Sequence, residues 1–211
     1  MKKYMVLLGF MLGCSFSLSA QYQNATEEQK KEIVSKITKV SGDMRSMQCD
    51  FTQVKELSFM DEKVTSEGKM FFKIPDKIRW EYTKPSRYVF SMDGQNIHMT
   101  SGGNTTTMSA NQNKLFKEIS NVMVGGVSGA GLVDSPDFDA QFFVGNSDYK
   151  IVLNPQKKEI KSIFSAIQLY VDKSDSRIRS VEMVEPSGDK MTITLRNVQM
   201  NTTINDELFS Q

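Results

Sequence analysis

Residues 66–82 read Ser66-Glu67-Gly68-Lys69-Met70-Phe71-Phe72-Lys73-Ile74-Pro75-Asp76-Lys77-Ile78-Arg79-Trp80-Glu81-Tyr82. Large apolar side chains fall on every second position, Met70, Phe72 and Ile74, then Ile78, Trp80 and Tyr82, with Lys69, Lys73, Arg79 and Glu81 between them. Side chains of a strand alternate between its two faces, so each run is a strand with one apolar face. Pro75-Asp76 cannot continue a ladder and marks the turn between them. The pattern runs outward in both directions. Residues 47–56, 87–92, 96–101, 105–109, 142–145, 149–154, 163–171, 178–185 and 191–200 have the same two-residue period. Breakers at Lys84-Pro85, Asp93-Gly94, Gly102-Gly103, Gly145-Asn146, Asn154-Pro155, residues 172–175 and Pro186-Ser187-Gly188 separate them. About 11 short strands joined by hairpin signals predict an antiparallel meander that curls into a barrel or half-barrel.

Helical spacing occurs twice. Thr26 followed by Gln29 forms a capping-box pattern, and Ile33, Val34, Ile37, Val40 and Met44 then trace one apolar stripe, predicting a helix that ends near residues 42–46. Leu115, Phe116, Ile119, Val122 and Met123 predict a second helix, inserted in the meander and followed by Gly125, Gly126, Gly129 and Gly131. Such an insertion covers a sheet either as a moving element or as a static one. The fold class is therefore α+β.

The first twenty residues have the plan of a secretory signal: Lys2-Lys3, an apolar run over residues 4–12, then Leu18-Ser19-Ala20 before Gln21. A single domain over residues 21–211 is expected to follow. Met11-Leu12-Gly13-Cys14 offers a competing reading, a lipoprotein signal that would leave an acylated Cys14 and a membrane-anchored protein. Either route leaves Cys49 as the last cysteine, flanked in alternation by Met47 and Phe51, a small buried hydrophobe. Lys and Arg total 26 against 25 Asp and Glu, so no overall field draws the chain to nucleic acid.

Catalytic constellations are missing from the sequence. His98 is the only histidine, which removes Ser/His/Asp, Cys/His and multi-histidine metal arrangements, and it reads as a structural or surface residue of its strand. The glycines at 125–131 lack the Lys-Ser/Thr of a phosphate loop. Scattered carboxylates such as Asp61-Glu62, Asp137 and Asp139 favour no hydrolase. No enzyme, metal or cofactor is expected. What the strands do carry is one face rich in aromatics and methionine, which serves either ordinary packing or a pocket for variable apolar ligands.

Phe51-Thr52-Gln53, the hairpin at 66–82, Lys84-Pro85 and Asp93-Gly94 follow one another in an order that resembles the LolA family of outer-membrane lipoprotein carriers. The resemblance covers residues 27–99 well and residues 149–209 more loosely. It implies an incomplete antiparallel barrel around an apolar cavity, covered by helices acting as a lid. Phe51, Phe72, Ile78 and Trp80 would line the cavity, with Phe90 and Met92 following by strand alternation, and Leu115, Phe116 and Ile119 would sit on the lid. Also implied are a periplasmic, monomeric chaperone, acylated lipoproteins as cargo, an inner-membrane releasing transporter and an outer-membrane acceptor. A membrane-anchored acceptor or lipid sensor of the same fold is the other reading. One position departs from the family: Ile74 stands where proteobacterial members have an arginine that ties the lid down, and its side chain donates no hydrogen bond.

Overall fold

The computed structural model describes residues 22–110, 133 and 135–210. The helix and strand elements are β1 (Gln23–Asn24), α1 (Glu27–Asp43), β2 (Ser46–Glu56), β3 (Lys63–Lys73), β4 (Lys77–Lys84), β5 (Tyr88–Asp93), β6 (Asn96–Ser101), β7 (Asn104–Ser109), β8 (Phe138–Val144), β9 (Asp148–Pro155), α2 (Lys158–Lys161), β10 (Ala166–Asp172), β11 (Ile178–Val184) and β12 (Lys190–Met200). A 3-10 turn, Asp206–Phe209, follows. The strands form one sheet of 12 in the order β1-β8-β9-β10-β11-β12-β2-β3-β4-β5-β6-β7, every pairing antiparallel. The sheet does not close on itself, so the expected incomplete barrel is what forms.

Helix α1 starts where its capping box sits. Thr26 Oγ1 accepts from the Gln29 N–H at 3.2 Å, and Gln29 Oε1 accepts from the Thr26 N–H at 2.9 Å. Its stripe lays Ile33 and Ile37 on the β8–β11 half of the sheet, in a core with Phe142, Ile151, Leu153, Ile167, Leu169 and Val171. The face that α1 covers is the inner face. Register carries it across the sheet, from Ile151 through Leu169, Val181 and Ile193 to Gln53.

Two predicted strands need correction. The strand expected at 142–145 starts earlier, at Phe138, because Asp139 and Gln141 point outward and Ala140 offers too small an apolar signal. The strand expected from residue 163 starts at Ala166. Ile160 and Phe164 are apolar because α2 and its exit turn back onto the core, not because they alternate. Two-residue β1 escaped notice altogether.

The outer face of β4 and β5 is crossed by the C-terminal segment. Phe209 is fully buried there and Arg79 donates to the Leu208 carbonyl at 3.0 Å. Lys73 and Lys77 reach Asp206 at 2.5 and 2.8 Å and hold its carboxyl well down, at about 2. The periodicity of residues 201–210 gave no sign of this strap.

Turn chemistry fixes the hairpins. Gly102 and Gly103 have φ of 57° and 83°, the two left-handed residues of a tight β6–β7 turn that glycine adopts without a Cβ penalty. At the β5–β6 turn Asp93 accepts from the N–H groups of Gln95 and Asn96 at 2.9 and 2.7 Å. His98, buried beside it, contacts Asp93 Oδ2 through Nε2 at 3.1 Å and Thr107 Oγ1 through Nδ1 at 3.0 Å, so it is a structural staple across β5, β6 and β7. Burial works against the charge of Asp93, but these donors outweigh it and hold the carboxyl at about 2. A carboxyl depressed in the folded state stabilises fully above its unfolded range and loses that contribution as pH falls through its folded value. The stability gap between wild type and Asp93→Asn should therefore narrow as pH drops from about 4 toward about 2. Thermal melts of both proteins across that range check this.

Candidate functional site

Register converts the sequence pattern into ladders on the inner face of β12 and β2–β7. One runs Met200, Met47, Phe72, Ile78, Met92, Ile97, Met108. The next runs Cys49, Met70, Trp80, Phe90, Met99. A third runs Leu195, Phe51, Gly68, Tyr82, Tyr88. All six residues expected on the cavity wall, Phe51, Phe72, Ile78, Trp80, Phe90 and Met92, thus lie on one face. Five are buried and Phe90 is half-buried. The lid residues Leu115, Phe116 and Ile119, and the signal segment, lie outside the described residues. Ile74 is exposed in the β3–β4 turn, tied through its main-chain N–H to the Arg45 carbonyl at 3.1 Å.

Gly68 makes the centre of this face possible. A Cβ there would stand 2.1 Å from the Glu81 carbonyl oxygen and 2.7 Å from the Phe51 ring, so the glycine leaves the space into which Phe51 packs. The centre of that ring lies 4.9 Å from that of Trp80 and, nearly perpendicular, 5.2 Å from that of Tyr82, spacings typical of favourable aromatic pairs. Tyr82 in turn donates to Gln53 Oε1 at 2.8 Å.

The two cores differ in chemistry. Beneath α1 the fully buried side chains are Ile, Leu and Val, rigid branched residues that fill one shape. Around Trp80 the packing is methionine and aromatic: Met44, Met47, Met70 and Met92 are buried, and Met99, Met108, Met183, Met191 and Met200 pack against them. Nine of the eleven methionines after the first twenty residues therefore belong to this cluster or pack against it. Reasoning from sequence singled out only Met92 among them as a wall residue, although the methionine excess was visible. Unbranched thioethers change rotamer cheaply and adapt to irregular apolar partners.

This face also keeps its titratable groups neutral. Burial pushes the Cys49 thiol up to about 12, and burial together with Tyr88 nearby pushes the Tyr82 phenol up to about 12. Trp80 Nε1 is buried and has no hydrogen-bond partner among the described residues. An unpaired indole N–H in an apolar surrounding is a standing cost of about 1–3 kcal/mol and a donor available to any acceptor brought in. Among the described residues nothing on this face pairs a nucleophile with a base.

A family model described as "Outer membrane lipoprotein carrier protein LolA" matches residues 42–211. The chain belongs to the LolA family. Pairwise sequence comparison with curated proteins finds no match. Among solved structures, an uncharacterized conserved protein from Thermus thermophilus is similar over 86% of this chain and 92% of its own, with 12% identity and a TM-score of 0.51. A LolA superfamily protein from Nitrosomonas europaea covers 86% of this chain and 97% of its own at 12% identity and TM-score 0.47. Lipoprotein LppX from Mycobacterium tuberculosis covers 85% and 99% at 13% identity and TM-score 0.49. At such identities the likeness is one of fold. The LolA family is one of carriers, and its match takes in every wall residue named above.

Proposed function

We propose that the protein is a periplasmic chaperone that binds the acyl chains of lipoproteins on the inner face around Trp80 and carries them from the inner to the outer membrane. On this reading it takes cargo from an inner-membrane releasing transporter and yields it to an outer-membrane acceptor. The observation that carries the proposal is the gathering of methionine and aromatic side chains, uncharged and adaptable, on one half of a sheet of the LolA family.

Magnitudes favour shallow binding. Three chains of about 16 carbons, at ~0.8 kcal/mol per buried methylene, would release about 38 kcal/mol if fully sequestered. Non-covalent affinities stop near ~18–21 kcal/mol. An open sheet that shields part of each chain lets cargo leave as well as enter.

Trp80 is the chain's single tryptophan and stands in the proposed site, so binding reports on itself. Titration with a synthetic tripalmitoylated lipopeptide should shift and saturate the Trp80 emission, and the unacylated peptide should not. A flat titration with folded protein would sink the proposal.

A further inference from the structure

The β2–β3 hairpin, flanked on one side by the β11–β12 turn, runs past the end of β4 on the other. Pairing of β3 with β4 begins only at Glu67 opposite Lys84, while β3 itself starts at Lys63. Of the four large hydrophobic side chains exposed among the described residues, three lie on this projection: Phe59 at 76%, Val64 at 49% and Met60 at 46%.

The tip is braced. Asp189, buried in the β11–β12 turn, accepts from the Ser58 N–H at 2.8 Å, and the Met60 N–H donates to the Leu57 carbonyl at 3.0 Å. Lys63 pairs with Glu56 at 2.8 Å across the stem, and Lys55 with Glu185 at 3.6 Å ties the stem to the end of β11. A buried carboxylate thus holds a turn whose main product is an outward phenyl ring. At the same tip a cleft of about 250 Å³ opens between the two hairpins, lined by Met60, Asp61, Glu62, Gly188 and Lys190 among others. Of the charged residues around the cleft, Lys63 and Glu56 pair with each other, while Asp61 and Glu62 form no ion pair among the described residues, which leaves two carboxylates against Lys190.

We infer that this hairpin is a docking tip for a protein partner that offers an apolar pocket bordered by Lys or Arg. Phe59 fills the pocket, and Asp61 and Glu62 meet the basic border. A lipid surface fits poorly, because envelope leaflets are anionic and the tip is acidic. A second copy fits poorly as well, since a two-fold contact would set the same carboxylates against each other. Three side chains bury little area, so the contact is transient.

The inference stands apart from acyl binding, and its test is read separately. Place p-benzoylphenylalanine at position 59 of the full-length chain, irradiate intact cells, and identify the adduct and the cross-linked peptide by mass spectrometry. The expected result is one protein adduct at a peptide containing Lys or Arg. With that protein purified, Phe59→Ser should weaken binding at least tenfold. Asp61→Lys with Glu62→Lys should do the same, and reversing the partner's basic residue should restore it. Melting temperature and the Trp80 response to lipopeptide should stay as in wild type. Adducts only to lipid or to a second copy of the chain, affinity for phosphatidylethanolamine–phosphatidylglycerol vesicles that depends on Phe59, no adduct, or an affinity indifferent to the charge reversal would each overturn the inference.

Discussion

Gly68→Val should destabilise the protein by about 3 kcal/mol and lower its melting temperature by roughly 6–12 °C. The reason is steric. Even the first carbon of a side chain would lie 2.1 Å from the Glu81 carbonyl oxygen, a backbone atom of the paired strand, and 2.7 Å from Phe51. Relief requires β3 and β4 to part or the Phe51 ring to leave its place against Trp80 and Tyr82, and either movement disorders the centre of the inner face. Binding of an acyl probe should fall with stability. Gly42→Ala is the matching control: its new methyl meets nothing within 4 Å on exposed helix, and should leave stability equal or slightly raised. Calorimetry on the three proteins checks both signs. A Gly68→Val protein that melts like wild type would mean that Phe51 does not occupy the space described.

Trp80→Ala is expected to cost about 3–5 kcal/mol, the usual range for removing a large buried aromatic. Trp80→Phe should behave differently. It keeps a ring against Phe51 and removes an N–H that finds no partner among the described residues, so the loss of packing is offset by relief of an unmet donor. A net change below about 1.5 kcal/mol is expected. The pair of variants also separates packing from recognition. If the indole N–H meets an ester carbonyl of bound lipid, Trp80→Phe should weaken binding of an acyl ester relative to an alkane of equal length, while Trp80→Ala should weaken both. Equal weakening of both ligands in the phenylalanine variant would show that the donor has no part in binding. Calorimetric titration is needed here, because both substitutions remove the fluorescent reporter.

The inner face was legible because its physics is local. Alternation at Met70, Phe72, Ile78 and Trp80 names the buried side before any neighbour is known, and register can only align what alternation has already sorted. Breakers such as Gly102-Gly103 and Asp93-Gly94 placed the hairpins for the same reason. Features that rest on contacts between distant residues stayed hidden. Phe209 and Ile204 are five positions apart and share no period, so nothing short of the folded outer face of β4 and β5 reveals that both are buried. Ile163 and Phe164 imitate a strand, since an apolar pair reads alike in a strand and at the exit of a one-turn helix. Phe59 escaped because an isolated aromatic in a turn carries no pattern; its meaning lies in its exposure.

The sheet order sets a schedule for folding. One edge of β2 meets β3 a few residues on, but the other meets β12, so Phe51 waits for Leu195, which is made 144 residues later. Until then the first long strand presents an open edge, and the outer face of β4 and β5 lacks its Phe209 cover. A chain emerging amino end first cannot complete either half of the methionine-rich core early. Such distant pairings make folding slow, and they leave a vulnerable template for other strands while it lasts. Stalling synthesis or threading through a membrane would lengthen that interval, and a helper that occupies the free edge of β2 would shorten the risk.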